Sequence, residues 1–314
     1  MCAVFGYLDY KGKVNNVILK KLIRNLSIAA EVRGTDATGI SYVNHEKVVT
    51  FKKAKPAHKV KLFFPRNTKC VIGHTRMTTQ GSEKYNYNNH PFDGRCGTET
   101  FSIAHNGVLY NDAELKAKYH LPKTQIETDS YVAVQLLEQE KQLHAESIKR
   151  MAESVEGSFV FTILRNDNTL FLVKGNNPLT IYHFPKIGIY VYASTKSILD
   201  NALQQVNLSD KCCEIDVSEG EILEIASNGK LSKTIFAMQD YTHSVFNPYN
   251  WYETEEQEEF LLEYCRMFGV SEEDVYLLLD YGFSADEIEE MLMNPNLLED
   301  ALAEISVLKQ EDAE

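Results

Sequence analysis

The chain opens Met1-Cys2-Ala3-Val4-Phe5-Gly6, a cysteine in second place directly ahead of an apolar run with the content of a β-strand. A small side chain after the initiator permits removal of Met1. Cys2 would then carry a thiol and a free α-amine on one residue, which joins a nucleophile to its base. The plain alternative is a small residue that packs into a strand, and position alone favours it. The rest of the chain must decide between them.

With 314 residues and 44% apolar composition, the chain can bury a substantial core as one large domain or two modest ones. No stretch approaches the roughly 18 uncharged apolar residues of a membrane span. The N-terminus lacks the basic and apolar regions of a secretory signal, so the expected location is the cytoplasm, with no membrane partner. The six cysteines are Cys2, Cys70, Cys96, Cys212, Cys213 and Cys265, with no C-x-x-C pair, so neither a disulfide scaffold nor structural zinc is expected. Adjacent Cys212 and Cys213 read as the opening of a strand rather than a redox pair.

Charge divides the chain. From Trp251 onward there are 20 acidic and 2 basic residues, a net −18 against −13 for the whole, which leaves the preceding part at +5. The break falls in the polar, aromatic stretch around Pro248, which suits a linker. The expected boundaries are a domain over 1–238, a linker over 239–251 and an acidic all-helical tail over 252–314. In that tail Ser271 and Ser284 are candidate N-caps, with Asp274 and Glu287 three residues on. Its acidity reads mainly as a solvated helical face; a docking surface for a basic protein partner is the sharper alternative. Direct nucleic-acid binding by the tail is not expected, because phosphate attraction needs clustered Lys and Arg.

Before the boundary, β-type runs include Ala3–Leu8, Gly39–Val43, Cys70–Gly73, Thr100–Ala104, Ser158–Leu164 and Ile187–Ala193, and helical spacing appears at 16–30, 112–118, 130–140 and 146–155. Helices gather in the first half, and strand follows strand in the second. The expected class is α+β, sheets layered with helices.

Candidate chemistry sits at strand ends. His105-Asn106-Gly107 closes a predicted strand with an amide side chain and an unobstructed backbone N–H, a donor pair for a tetrahedral oxyanion. A simple Asn-Gly turn is the bland alternative. Recognition of a free amino acid needs a cation for the α-carboxylate and an anion for the α-ammonium. Arg76 in Gly73-His74-Thr75-Arg76 and Asp129 in Glu127-Thr128-Asp129 fit these roles, although Asp129 also suits a helix cap.

Taken in order, the Cys2 segment, Arg33-Gly34-Thr35-Asp36, Gly73-His74-Thr75-Arg76, Asn89-His90-Pro91, His105-Asn106-Gly107 and Glu127-Thr128-Asp129 resemble the motifs of class II glutamine amidotransferase domains, most closely the glutaminase half of glucosamine-6-phosphate synthase. Asn177-Pro178-Leu179, Tyr192-Ala193-Ser194 and Glu219-Gly220-Glu221-Ile222 extend the resemblance over roughly three-quarters of the chain. It implies an N-terminal-nucleophile hydrolase fold, an αββα sandwich. It also implies glutamine as substrate, Cys2 as nucleophile with its α-amine as base, and a γ-glutamyl thioester intermediate. Asn106 and Gly107 fall to the oxyanion hole, Arg76 and Asp129 to the substrate head group, and Arg33 to ordering the Cys2 loop. The loop from Thr78 through Tyr87, with Thr79 as a substrate-binding candidate, would close over glutamine. The chain departs from the synthase at Met77 and Gln80, where tryptophan and histidine often stand, which puts coupling to a synthase site in doubt. His74, His90 and His105 are expected as hydrogen-bonding scaffold, and neither a metal nor a cofactor is expected.

Some 60 residues after the domain are too few for the acceptor domains of those relatives. The favoured expectation is a glutaminase subunit that supplies ammonia to a separate synthase. A freestanding amidohydrolase acting on a γ-glutamyl compound, and a non-catalytic interaction protein using the acidic tail, are the alternatives.

Overall fold

β1 (Ala3–Asp9) is buried along its whole length, because it pairs on both sides and is covered on both faces. On one side it runs antiparallel to β10 (Ile189–Ala193), with Phe5 opposite Ala193; on the other it meets β4 (Cys70–Arg76), with Ala3 opposite Thr75. The other strands of this sheet are β2 (Ala37–Asn44), β3 (Lys47–Lys53), β9 (Thr180–Phe184) and β11 (Cys213–Glu214). Their spatial order is β11-β9-β10-β1-β4-β2-β3. A second sheet has β5 (Phe92–Cys96), β6 (Glu99–Leu109), β7 (Gly157–Arg165), β8 (Leu170–Lys174), β12 (Glu221–Ile225) and β13 (Leu231–Ile235), in the order β13-β12-β8-β7-β6-β5.

These elements come from a computed structural model, which describes residues 2–206, 208, 210–238, 261–262, 265–266, 268–281, 283, 285–292, 297–298, 301–303 and 305. The chain divides into two compact units, Met1–Gln239 and Asp240–Glu314.

Three apolar clusters fix the layering of the first unit. Between the sheets, Val4, Leu8, Cys70 and Ile72 pack with Ala104, Val160, Leu164, Leu172 and Leu223. Outside the first sheet lie α1 (Asn16–Ala29) and α5 (Lys196–Gln204), which bury Leu19, Leu22, Leu26, Ile198 and Ala202 on Phe5, Tyr7 and Val191. Outside the second lie α2 (Asp112–Lys118), α3 (Tyr131–Glu138) and α4 (Ala145–Ser154), with Ala133, Leu137, Ile148 and Met151 against Phe161, Ile163 and Phe171. The result is helix, sheet, sheet, helix, the expected αββα sandwich. Each buried Leu or Phe contributes about 1.5–3 kcal/mol of transfer free energy to holding these layers together.

Two elements escaped the sequence reading. α5 breaks the expected succession of strands: the Thr195 side chain accepts the Ile198 N–H at 3.3 Å, and Ile198, Leu199 and Ala202 give a short buried face. β5 contains Asp93, Gly94 and Arg95, a poor strand by composition, yet it pairs with β6 from Phe92 opposite Ile103 to Cys96 opposite Glu99. Tertiary pairing overrides local preference there.

The second unit has its own apolar cluster, including Leu261, Cys265, Val275, Leu278, Ile288 and Leu292. Ser271 caps the helix Glu272–Asp280, its side chain accepting the Asp274 N–H at 3.1 Å. Ala285–Leu292 is a further helix. Ser284, proposed as a cap from sequence, lies outside the described residues.

Candidate active site

Cys2 stands at the mouth of β1, next to the strand end that carries Arg76, since Ala3 pairs with Thr75. Its thiol donates to the Met77 carbonyl at 3.3 Å, and its own carbonyl accepts from Arg33 Nε at 3.0 Å. Arg33 is itself buried. Burial pushes the Cys2 thiol up, with the terminal ammonium and Arg76 pulling it back and Asp129 adding to the rise. A buried thiol held largely protonated needs a base before it can attack.

Arg76 and Asp129 are each 2% exposed. The Arg76 guanidinium donates to Asn89 Oδ1 at 2.7 Å, to the Gln80 carbonyl at 2.6 Å and to the Gly81 carbonyl at 3.0 Å. Burial lowers its pKa, while Cys2, Asp36 and Asp129 pull it back up. Asp129 accepts the Leu109 N–H through Oδ2 at 2.6 Å, and its own N–H donates to Gln80 Oε1 at 3.1 Å. Gln80 therefore links the cationic and anionic residues, its backbone to one and its side chain to the other. Thr79 is exposed in the segment between Arg76 and Gln80. That segment is tied down where Thr78 N–H donates to Asp36 Oδ2 at 2.8 Å.

Asn106 and Gly107 lie on β6, whose Ala104 meets Val4 of β1 in the intersheet layer. Asn106 is wholly buried, yet neither its side-chain nitrogen nor its oxygen has a protein partner. An unmade hydrogen bond of this kind costs about 1–3 kcal/mol and marks a group held ready for something else. Asn177 Nδ2 fixes the Asn106 main chain by donating to its carbonyl at 2.9 Å. Gly107 has φ +140, and a Cβ on it would lie 1.9 Å from the Ser158 carbonyl oxygen, so only glycine fits.

The three histidines form a buried group beneath these residues. His74 Nε2 lies 2.9 Å from the His105 carbonyl, and His105 Nδ1 lies 2.8 Å from Ser130 Oγ, as expected of scaffold. His90 departs from that expectation: neither of its ring nitrogens has a partner, and its ring packs 4.3 Å from that of His74. Burial lowers all three pKa values, that of His74 to about 3.

Sequence reasoning missed Gln80 as the link between Arg76 and Asp129, and gave no role to Asn89, although its motif was marked. It also missed Asn177, a motif residue whose partner is 71 positions away. Lys52 carried no signal at all. Its Nζ donates to the Asn89 and Pro91 carbonyls at 2.6 and 3.0 Å, and burial brings its pKa down to about 8.

A family model described as "Glutamine amidotransferase domain" matches residues 74–201. Over these residues the chain is similar to a glutamine amidotransferase domain. Glutamine–fructose-6-phosphate aminotransferase of Bacillus subtilis is 27% identical over 270 residues, which covers 82% of this chain and 43% of that one. 7-Cyano-7-deazaguanine synthase 2 of Sulfurisphaera tokodaii is 29% identical over 247 residues, 75% of this chain and 52% of that one. The chain thus spans about half the length of the relatives it matches. Among solved structures, an allosteric regulatory enzyme of purine biosynthesis superposes with a TM-score of 0.61 at 22% identity, over 76% of this chain and 50% of that one. Glutamine phosphoribosylpyrophosphate amidotransferase from B. subtilis gives 0.58 at 22% identity, over the same shares. At this identity the two structures show a shared fold with the first unit of this chain.

Proposed function

We propose that this amidotransferase domain hydrolyses the side-chain amide of glutamine at Cys2 and supplies the ammonia to a separate acceptor enzyme in the cytosol. The observation that carries the reading is the placement of Cys2 beside the strand end of Arg76, through the Ala3–Thr75 pair, with Gln80 bonded to both Arg76 and Asp129. With Met1 removed, the α-amine of Cys2 takes the thiol proton as sulfur attacks the amide carbon. Asn106 Nδ2 and the Gly107 N–H stabilise the oxyanion, which accounts for the unpartnered state of the Asn106 side chain. The carbon–nitrogen bond then breaks, the α-amine returns the proton to the leaving nitrogen, and ammonia departs. Water adds to the resulting γ-glutamyl thioester with the same amine as base, releasing glutamate and the thiol. Arg76 holds the substrate carboxylate, Asp129 its ammonium, and Thr79 lines the loop above them. Arg33 positions the Cys2 main chain.

An ammonia acceptor is proposed because the relatives that match include an aminotransferase and a synthase by name. We further propose the boundaries 1–238, 239–251 and 252–314, with the last as an acidic helical unit that offers a docking face to a basic protein. The test is ammonia release from glutamine by Met1-free protein, with the Cys2→Ala variant beside it. Release by the first and none by the second supports the reading. An intact Cys2 protein that neither binds nor cleaves glutamine overturns it.

A further inference from the structure

Lys52 is a cation spent on main-chain carbonyls. It lies on β3, where its Nζ donates to the carbonyls of Asn89 and Pro91 and sits 4.8 Å from the centre of the Phe92 ring. Placing an ammonium there costs desolvation that an apolar side chain of the same length would avoid. Opposite Lys52 in the β2–β3 pair is Gly39, and a Cβ on that glycine would lie 2.2 Å from the His90 carbonyl oxygen. The segment 89–91 is therefore seated directly on Gly39 and gripped from the side by Lys52. Its first residue reaches the site: Asn89 Oδ1 accepts from Arg76, while Asn89 Nδ2 donates to the Glu83 carbonyl at 2.8 Å. A fixed main chain at Asn89 is what gives its side chain one position, and that position orients the guanidinium.

We infer that Lys52 is a positioning residue for substrate recognition: its ammonium holds the Asn89–Pro91 main chain so that Asn89 presents Arg76 to the carboxylate of glutamine. The inference rests on the glutaminase reading. It differs from a purely structural role in what it changes, because Arg76 binds a part of the substrate remote from the scissile bond. Lys52 should act on glutamine binding and leave the reactivity of Cys2 alone.

The experiment compares Lys52→Met, Lys52→Arg and the exposed neighbour Lys53→Met with the unaltered, Met1-free chain. Ammonia release gives KM and kcat for glutamine. Alkylation by iodoacetamide, which has no amino-acid head group, reports the thiol, with mapping of the adduct to Cys2. Lys52→Met should raise KM roughly tenfold, the equivalent of one lost charge-assisted hydrogen bond. It should leave kcat within about twofold and the alkylation rate unchanged. Lys52→Arg should restore most of the affinity, and Lys53→Met should behave as the unaltered chain. An unchanged KM in Lys52→Met overturns the inference, as does a joint fall in kcat, alkylation rate and thermal midpoint, which would mean general loosening. If Lys52→Met does not fold, Lys52→Gln, which keeps a donor without charge, is read by the same criteria. An unaltered chain that neither binds nor cleaves glutamine rejects the glutaminase reading itself, whereas an active chain indifferent to Lys52 rejects only this inference.

Discussion

At the scale of single residues, Asn106 shows how a site can be read from what a side chain lacks. A buried amide with both polar atoms unpartnered is a poor choice for stability and a good one for receiving developing negative charge. Asn106→Ala should therefore lower kcat about 10²–10³-fold with little change in KM. Its folding stability should stay within about 1 kcal/mol of the parent, since loss of an unsatisfied polar group offsets the small cavity. Steady-state kinetics and urea titration check both halves, and a variant that keeps its turnover would remove Asn106 from the chemistry. Cys2, Arg76, Asp129, Asn106 and Gly107 could be proposed from sequence because each lies in a short ordered motif, that of Asp129 just ahead of a helix. Lys52 was not, because its task depends on a partner 37 residues away and its local context, Phe51-Lys52-Lys53, is that of any solvated strand.

At the scale of elements, β1 carries Cys2 and is tied to its neighbours most closely near the start. Ser194, just after β10, accepts the buried Val4 N–H on its side chain at 2.9 Å, and its own N–H donates to the Val4 carbonyl at the same distance. Ser194→Ala strands the Val4 N–H and should cost about 1–3 kcal/mol of stability. Because the strain falls two residues from Cys2, alkylation of that thiol should become faster at the same time. Urea unfolding combined with iodoacetamide kinetics measures this, and a stable variant with unaltered thiol reactivity would show that Ser194 does not hold the strand start. Strands with continuous apolar content, such as Cys70–Gly73 and Ser158–Leu164, were readable because burial on both faces leaves that trace. β5 and α5 left none: one is held by its partner β6, the other by a single cap and three apolar contacts.

At the scale of the whole molecule, the sandwich buries three histidines in neutral form. The unfolded chain binds protons on them near pH 6.5, whereas folded His74 does so only near 3, so the unfolded state takes up more protons between these values. The His74 contribution is complete above pH 6.5 and is lost as pH falls toward 3; His90 and His105, also lowered by burial, act in the same direction. Urea titrations down that range should show stability falling with acid, and His74→Asn should have a shallower slope by about one histidine's share. Equal slopes would mean that His74 is not kept neutral by the fold. The two-sheet architecture was legible from the density of β-type runs and the resemblance of motifs. The pairing of strands distant in sequence, such as β1 with β10, was not, because no local pattern encodes which distant edge will meet.

The seat beneath the Asn89–Pro91 segment bears on how this chain would look in a saturation mutagenesis screen. Gly39 has no side chain with which to touch substrate, yet any replacement would push against the His90 carbonyl and displace the support of Arg76. Scored by surviving turnover alone, it would rank beside the nucleophile. The two kinds of intolerance separate only when each clone is also assayed for thiol labelling mapped to position 2, where a change at Gly39 leaves a sulfur that still reacts and one at Cys2 removes that adduct while the exposed Cys212 and Cys213 still label.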